Sequence, residues 1–256
     1  MIRRLAKQFL YGAFYIALWA ILFAGVYFLF FKSPPSCFDG KRNQTEEGVD
    51  CGRICGNICL PADLKRIEQV GQVKILFPEP SRIGLLARLK NANPGHSARR
   101  VGFTFRIFDD RGEAFESSGN TFVYAGELKY LAQLVLLPPG FEKRQIVRAQ
   151  LTLAEEEWAQ AGDFYRPAVQ LQEENTAVEA NSIRVEGKVR NEDTLTLSNI
   201  TILALFYGRE GQLAGFSETG LDNFFPSETR PFVILHPPLT DVNPSATQIF
   251  ISVPRL

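Results

Sequence analysis

Most of the chain alternates apolar and polar positions, but one stretch does not. From Phe9 to Phe31 it reads FLYGAFYIALWAILFAGVYFLFF, with no charge on any side. As a helix, this run reaches about 34 Å, enough to cross a hydrocarbon core of about 30 Å. Aromatic residues sit near both of its ends, as at lipid–water boundaries. From Gln69 onward the period drops to two. Ile83, Leu85, Ala87 and Leu89 face one way, with Arg88 and Lys90 opposite. Val101, Phe103, Phe105 and Ile107 repeat the pattern, as do Ile183, Val185 and Val189 against Arg184, Glu186, Lys188 and Arg190. Residues at i and i+2 share a face only in extended chain, so these segments predict strands.

The turns between the strands recur. Asp109-Asp110-Arg111-Gly112 and Gly208-Arg209-Glu210-Gly211 both read as hairpin turns that end on a glycine. Leu89-Lys90-Asn91 matches Val189-Arg190-Asn191, and Gly126-Glu127 matches Ser227-Glu228, at a spacing of about 100 residues. Short strands with frequent turns and no helices between them predict β-sandwiches, and about 100 residues suits one immunoglobulin-like domain. The expected fold is an all-β ectodomain of two tandem immunoglobulin-like β-sandwiches behind one N-terminal transmembrane α-helix. The expected boundaries are a basic cytoplasmic N-terminus (1–8), the transmembrane helix (9–31), a cysteine-rich juxtamembrane segment (32–62), a first sandwich (63–155), a linker (156–168) and a second sandwich (169–256).

Charge adds a direction. The formal net charge is zero, but every charge before Asp39 is positive: Arg3, Arg4, Lys7 and Lys32. Three of these precede the span and only Lys32 follows it closely. The positive-inside rule then expects a cytoplasmic N-terminus and extracytoplasmic C-terminal domains, in a single-pass protein of the cell membrane. A cleaved signal peptide would have an apolar region of about 7–15 residues and a small-residue cleavage site, and neither is present. Without a basic surface, nucleic acid is not an expected partner.

All four cysteines, Cys37, Cys51, Cys55 and Cys59, lie directly after the span. Outside the cytoplasm they are expected to form two disulfides, and three pairings are open. The segment has almost no apolar residues, so cross-links would take the place of a core. Zinc is the rival reading, although paired C-x2-C knuckles are missing. Asp39, Asn43, Glu46, Glu47 and Asp50 are weak calcium candidates, because they are hard oxygen donors packed into twelve residues; their spacing is not that of an EF-hand loop. The segment resembles a cysteine motif of uncharacterised bacterial surface proteins, CxDGxxNxxExGxDCGGxCxxC. The match runs from Cys37-Phe38-Asp39-Gly40 through Asn43, Glu46 and Gly48 to Asp50-Cys51-Gly52, and departs from the pattern at Arg53 and in the Cys55–Cys59 spacing. Phe105-Arg106-Ile107-Phe108-Asp109 is similar to the signature of the FxLYD family of immunoglobulin-like domains, related to the late-embryogenesis-abundant sandwich. Ala204-Leu205-Phe206-Tyr207-Gly208 keeps its centre. The resemblance implies this fold and topology, with no assigned activity.

Three aromatic residues stand out as candidate partner-binding positions: Trp158 beside the acidic run Glu155–Glu157, and the adjacent pair Phe224 and Phe225, of which a strand would turn one outward. Packing is the competing role for all three. No catalytic residues are expected. Neither His96 nor His236 has a triad partner in the sequence, and both read as solvated. Walker, G-x-G-x-x-G, H-E-x-x-H and G-x-S-x-G motifs are absent. The expectation is a non-enzymatic binding or scaffolding module of the cell envelope, without cofactor, held in lipid by residues 9–31 and presented to a protein or glycan. Its alternatives are a structural subunit of a membrane complex and a solute binder or enzyme with an inter-domain site.

Overall fold

The computed structural model describes residues 2–28, 36–43, 45–56, 58–79, 81–112, 114–141 and 145–255. The chain forms two compact units, Met1–Cys59 and Leu60–Leu256.

The first unit opens with helix α1, Ile2–Val26, followed by a π turn at Tyr27 and Phe28. The helix begins inside the expected basic N-terminus, because Arg, Leu, Ala and Lys all favour helix. The last expected residues of the span, 29–31, lie outside the described residues. No part of Lys7–Val26 is buried against protein. Phe9, Ile16 and Ile21 are 82%, 72% and 71% exposed. A helix this long, apolar on all faces and uncovered by protein, is suited by length and composition to cross a membrane.

Among its described residues the second unit is β and irregular chain apart from short 3-10 turns, at Pro244–Ala246 and at Gln145. Its strands are β1 (Glu68–Gln69), β2 (Lys74–Glu79), β3 (Arg82–Lys90), β4 (His96–Asp109), β5 (Ala114–Val123), β6 (Leu128–Leu136), β7 (Ile146–Gln160), β8 (Val169–Val178), β9 (Ile183–Asn191), β10 (Ile200–Tyr207), β11 (Leu213–Leu221), β12 (Thr229–His236) and β13 (Gln248–Ser252). In the first sandwich, β3 carries β1 and β2 on one edge and β6 on the other, and β4 sits between β5 and β7. In the second, β9 sits between β8 and β12, and β10 between β11 and β13. If β1 and β2 count as one interrupted strand, the pairing order is the same twice: first–second–fifth in one sheet, fourth–third–sixth in the other. Every pairing is antiparallel.

Each sandwich closes over its own core. Ile83, Leu85 and Leu89 meet Phe105 and Ile107 in the first. Val185 and Val189 meet Ile202 and Phe206 in the second. The expected turns form: Gly112 and Gly211 take φ of 83° and 80°, a left-handed conformation open to glycine at no steric cost. A buried asparagine ties each sandwich together at the end of its second strand. Asn91 Nδ2 donates to the carbonyls of His96 at 2.8 Å and Tyr124 at 3.0 Å, and its Oδ1 accepts the Asn93 N–H at 2.9 Å. Asn191 repeats this, with Nδ2 donating to Leu195 and Phe224 at 2.9 and 3.0 Å and Oδ1 accepting from Asp193 N–H at 2.9 Å. Beside each asparagine, Glu127 and Glu228 accept a backbone N–H from three residues earlier, both at 2.8 Å.

One expectation is corrected here, and one feature is added by the structure. First, the acidic run does not lie in a linker, because β7 continues through it to Gln160. The bulged strand pairs Glu156 with Val101, Glu157 with Arg100 and Trp158 with Ala98, and Glu155 takes a φ of 46°. Second, the central sheets are not buried on one face only. Gly84 and Leu86 in β3, and Leu203 and Leu205 in β10, point away from their own cores and are also buried. They belong to a third cluster, in which Leu86, Leu76, Tyr130 and Ala132 of the first sandwich pack on Leu203, Leu205, Phe216 and Phe250 of the second. The Tyr130 and Phe250 rings lie 4.5 Å apart, and a Cβ on Gly84 would sit 2.8 Å from the Phe216 ring. Burying four large side chains here contributes roughly 6–12 kcal/mol at ~1.5–3 kcal/mol each. The two sandwiches therefore dock as one body, sheet against sheet.

Candidate functional site

In the first unit the disulfides are Cys37–Cys55 and Cys51–Cys59, and no free cysteine remains among the described residues. The structure thus settles the pairing that the sequence left open. Metals bind thiolates, and these sulfurs are bonded to each other. The calcium candidates are engaged by the loop's own donors. Asp50 accepts the N–H groups of Asp39 at 3.1 Å and Gly40 at 2.8 Å. Asp39 accepts Lys41 N–H at 3.0 Å and Asn43 Nδ2 at 2.7 Å. Slight burial opposes ionisation of Asp39, but these bonds outweigh it and hold the carboxyl below its ordinary range. Glu46 is buried, accepts Asn43 N–H at 3.1 Å, and lies 3.4 Å from Cys55 Sγ, which as a disulfide sulfur has no proton to donate. These carboxylates fold a segment that has no apolar core.

The aromatic candidates separate. Trp158 is half-buried against the first core. Phe224 is fully buried in the second core, so it is corrected from partner-binding to packing. The reason is a two-way backbone pair with Leu197 (2.9 and 2.8 Å) that turns Phe224 inward and leaves its neighbour Phe225 57% exposed. His236 is not solvated as expected. It is 2% exposed, packs edge-on to Phe206 with centroids 5.0 Å apart, and its Nδ1 lies 2.6 Å from Pro237 O. Burial lowers its pKa, against a smaller raising effect of the Pro237 carbonyl. His96 starts β4 and is half-buried.

The strongest concentration of chemistry lies where the sandwiches meet. A cleft of about 550 Å³ opens between β5 and β6 of the first and β10, β11 and β13 of the second. This is within the ~300–1,000 Å³ range of small-molecule sites. Tyr130, Leu203 and Phe250 form its apolar wall, and Thr201 and Ser252, paired across β10 and β13, bring hydroxyls. Lys129 is 8% exposed, and its Nζ sits 3.1 Å from the centre of the Phe122 ring. Among the described residues no ion pair to the Lys129 ammonium is present, and Nζ is not one of the buried side-chain atoms left without a partner. Burial lowers its pKa to about 7; Glu127 opposes this and Arg166 adds to it. Arg166 reaches over Ile251 O at 3.5 Å. Glu218 keeps more than a third of its surface open, yet the surrounding protein raises its pKa by desolvation. At the cleft's end Tyr124 donates its hydroxyl to Val253 O at 2.6 Å and stacks on Phe164, so that burial, then Glu127, holds the phenol above its ordinary pKa.

None of Lys129, Arg166 or Glu218 stands out in the sequence. One signal was available for Lys129: it shares strand parity with Leu131 and Val135, both core residues, so its side chain starts inward. Arg166 and Glu218 have no such signal, because the cleft exists only once two distant sheets meet.

No family model and no curated protein sequence matches the chain. Among solved structures, the chain is similar to that described as the crystal structure of red sea bream transglutaminase, at 11% identity and a TM-score of 0.22. The match covers 71% of this chain and 31% of that one, so the chain spans about a third of that protein's length, and the likeness is too slight to carry an argument.

Proposed function

We propose that this is a single-pass membrane protein whose helix holds a non-catalytic, rigid double sandwich outside the cytoplasm, as a binding or scaffolding module of the cell envelope with a protein or glycan partner. One observation carries the reading: a bare apolar helix is followed, within the same unit, by a segment closed by two disulfides. Disulfides persist in oxidising compartments, and Arg3, Arg4 and Lys7 on the other side of the span favour a cytoplasmic N-terminus. The repeated strand order and the matched Asn91 and Asn191 bonds support one sandwich used twice. The docked interface supports a stiff display module rather than beads on a string.

Fusions at the C-terminus test the topology. Alkaline phosphatase, active only after export, is expected to be active, and a green fluorescent protein fusion that folds only in the cytoplasm is expected to be dark. The four cysteines should resist maleimide until reduced. A bright cytoplasmic fusion with reactive thiols would overturn the proposal. The alternative of a solute binder with an inter-domain site is supported by the cleft, which has the volume such a site needs and charged residues in its lining.

A further inference from the structure

His236 holds a polar atom at a place where the seam between the sandwiches is otherwise lined by apolar side chains. It ends β12, is 2% exposed and packs on the Phe206 ring. Its Nδ1 lies 2.6 Å from Pro237 O. A carbonyl only accepts, so Nδ1 carries the proton and Nε2 presents a bare lone pair. Among the described residues Nε2 is buried without a hydrogen-bond partner. His236 lines a pocket of about 20 Å³ whose walls come from both sandwiches, Leu76 and Phe77 of β2 on one side and Gly215, Phe216 and Leu239 on the other. Gly215 leaves room for the ring, since a Cβ there would stand 2.8 Å from Nε2. A buried polar atom without a partner costs free energy that a phenylalanine would not. What histidine adds is a place for a proton.

A proton there would find no counter-charge. The pocket has room for about one water, which can donate to neutral Nε2 but brings no anion. On β2, Glu79 is paired with Arg82. On β9, Ile183 stands opposite His236, and the neighbouring Arg184 is paired with Glu186. β10 presents Phe206, and Glu218 of β11 lines the cleft instead. Beyond β12, Asp241 is paired with Arg209. Burial lowers the pKa of His236 and the Pro237 carbonyl raises it by less, with no contribution from a charged group.

We infer that His236 is an acid-sensitive latch: a proton on Nε2 loosens β2 from β11 and opens the docked interface between the two sandwiches. An imidazolium needs solvent or an acceptor for its new N–H. Phe206, Gly215 and Leu239 belong to its own sandwich, where backbone bonds tie the strands of each sheet. No backbone pairing joins β2 to β11, so β2 is the wall that yields, and opening bares Leu86, Leu203, Leu205 and Phe216. The sign follows from the pKa, which is below the ordinary 6.5 while the interface is closed and returns to it once the ring is exposed. Closure is therefore fully favoured above pH 6.5 and weakens as the pH falls below it. The open-to-closed ratio rises by up to about tenfold per pH unit until the closed form itself takes up the proton. The latch works in either orientation of the chain in the membrane.

The test places a thiol on each face of β3 in the full chain, in phosphatidylcholine nanodiscs. Leu86→Cys lies in the docked interface and Ala87→Cys in the first core. Labelling by 4,4′-dithiodipyridine, which reacts with thiols at acid pH, is followed by mass spectrometry and divided by the rate of a thiol peptide at the same pH. From about pH 7.5 to about pH 5 the corrected rate at Leu86→Cys should rise roughly 3–30-fold, and that at Ala87→Cys by less than about twofold. The rise should vanish in a His236→Phe background and in a His236→Gln background, each checked by circular dichroism; the second keeps a polar group should the larger ring not fit beside Gly215. A rate at Leu86→Cys that ignores pH, a rise that survives in the His236 variants, or an equal rise at Ala87→Cys would each overturn the latch. None of these outcomes would bear on membrane topology.

Discussion

Replacing Lys129 by methionine should make this protein more stable, by an amount that depends on pH. Burial brings the folded-state pKa from the ordinary 10.5 to about 7. At about 1.4 kcal/mol per pH unit, keeping the ammonium charged in the fold costs up to roughly 5 kcal/mol. The contact with the Phe122 ring offsets about 1–2 kcal/mol of this. Methionine keeps the apolar stem, so the expected gain is about 3 kcal/mol at pH 6. Below about pH 7 the lysine is protonated in both folded and unfolded chains, and the full cost applies. Between about 7 and 10.5 the unfolded chain holds a proton that the folded chain has released, so wild-type stability rises with pH. The advantage of Lys129→Met should shrink over that window and be gone above it. Urea unfolding across this range, followed by Trp158 fluorescence in a Trp19→Phe background, measures it directly. A variant less stable than wild type at pH 6, or an advantage that does not change with pH, would refute the reasoning.

Two further substitutions probe the frame of the cleft. Leu205 is fully buried between the docked sheets, so Leu205→Ala should cost about 3–4 kcal/mol in urea unfolding; a cost below about 1 kcal/mol would mean the sheets do not press together there. Asn191→Ala removes the donor to the Leu195 carbonyl and the acceptor of the Asp193 N–H, while the Phe224 carbonyl keeps the Leu197 N–H, and should cost about 2–4 kcal/mol. Asn91→Ala should cost a similar amount, and a near-neutral result at either position would break the equivalence of the two ties.

Much of the local structure could be read from residue order alone. A run of apolar residues without period predicts the helix, because a helix in lipid must be apolar on every face. Alternation at period two predicts the strands, because extended chain sends successive side chains to opposite sides. A terminal glycine at Gly112 and Gly211 predicts the turns, because the backbone there enters a region that other residues avoid. The adjacent pair Phe224 and Phe225 predicts one ring in and one out.

What these patterns lack is the identity of the opposing surface. Which phenylalanine turns inward depends on a backbone pair with Leu197, twenty-seven positions earlier. Leu86, Leu203 and Leu205 occupy the polar parity of their strands and are nonetheless buried, because a second sandwich covers that face. The cysteine pairing, the buried His236 and the cleft around Lys129 arise in the same way, from surfaces brought together across distant parts of the chain. Local order decides which way a side chain starts, since backbone geometry carries that period. What the side chain meets is decided by the packing of one sheet on another, and that packing set the Lys129 ammonium on the ring of Phe122.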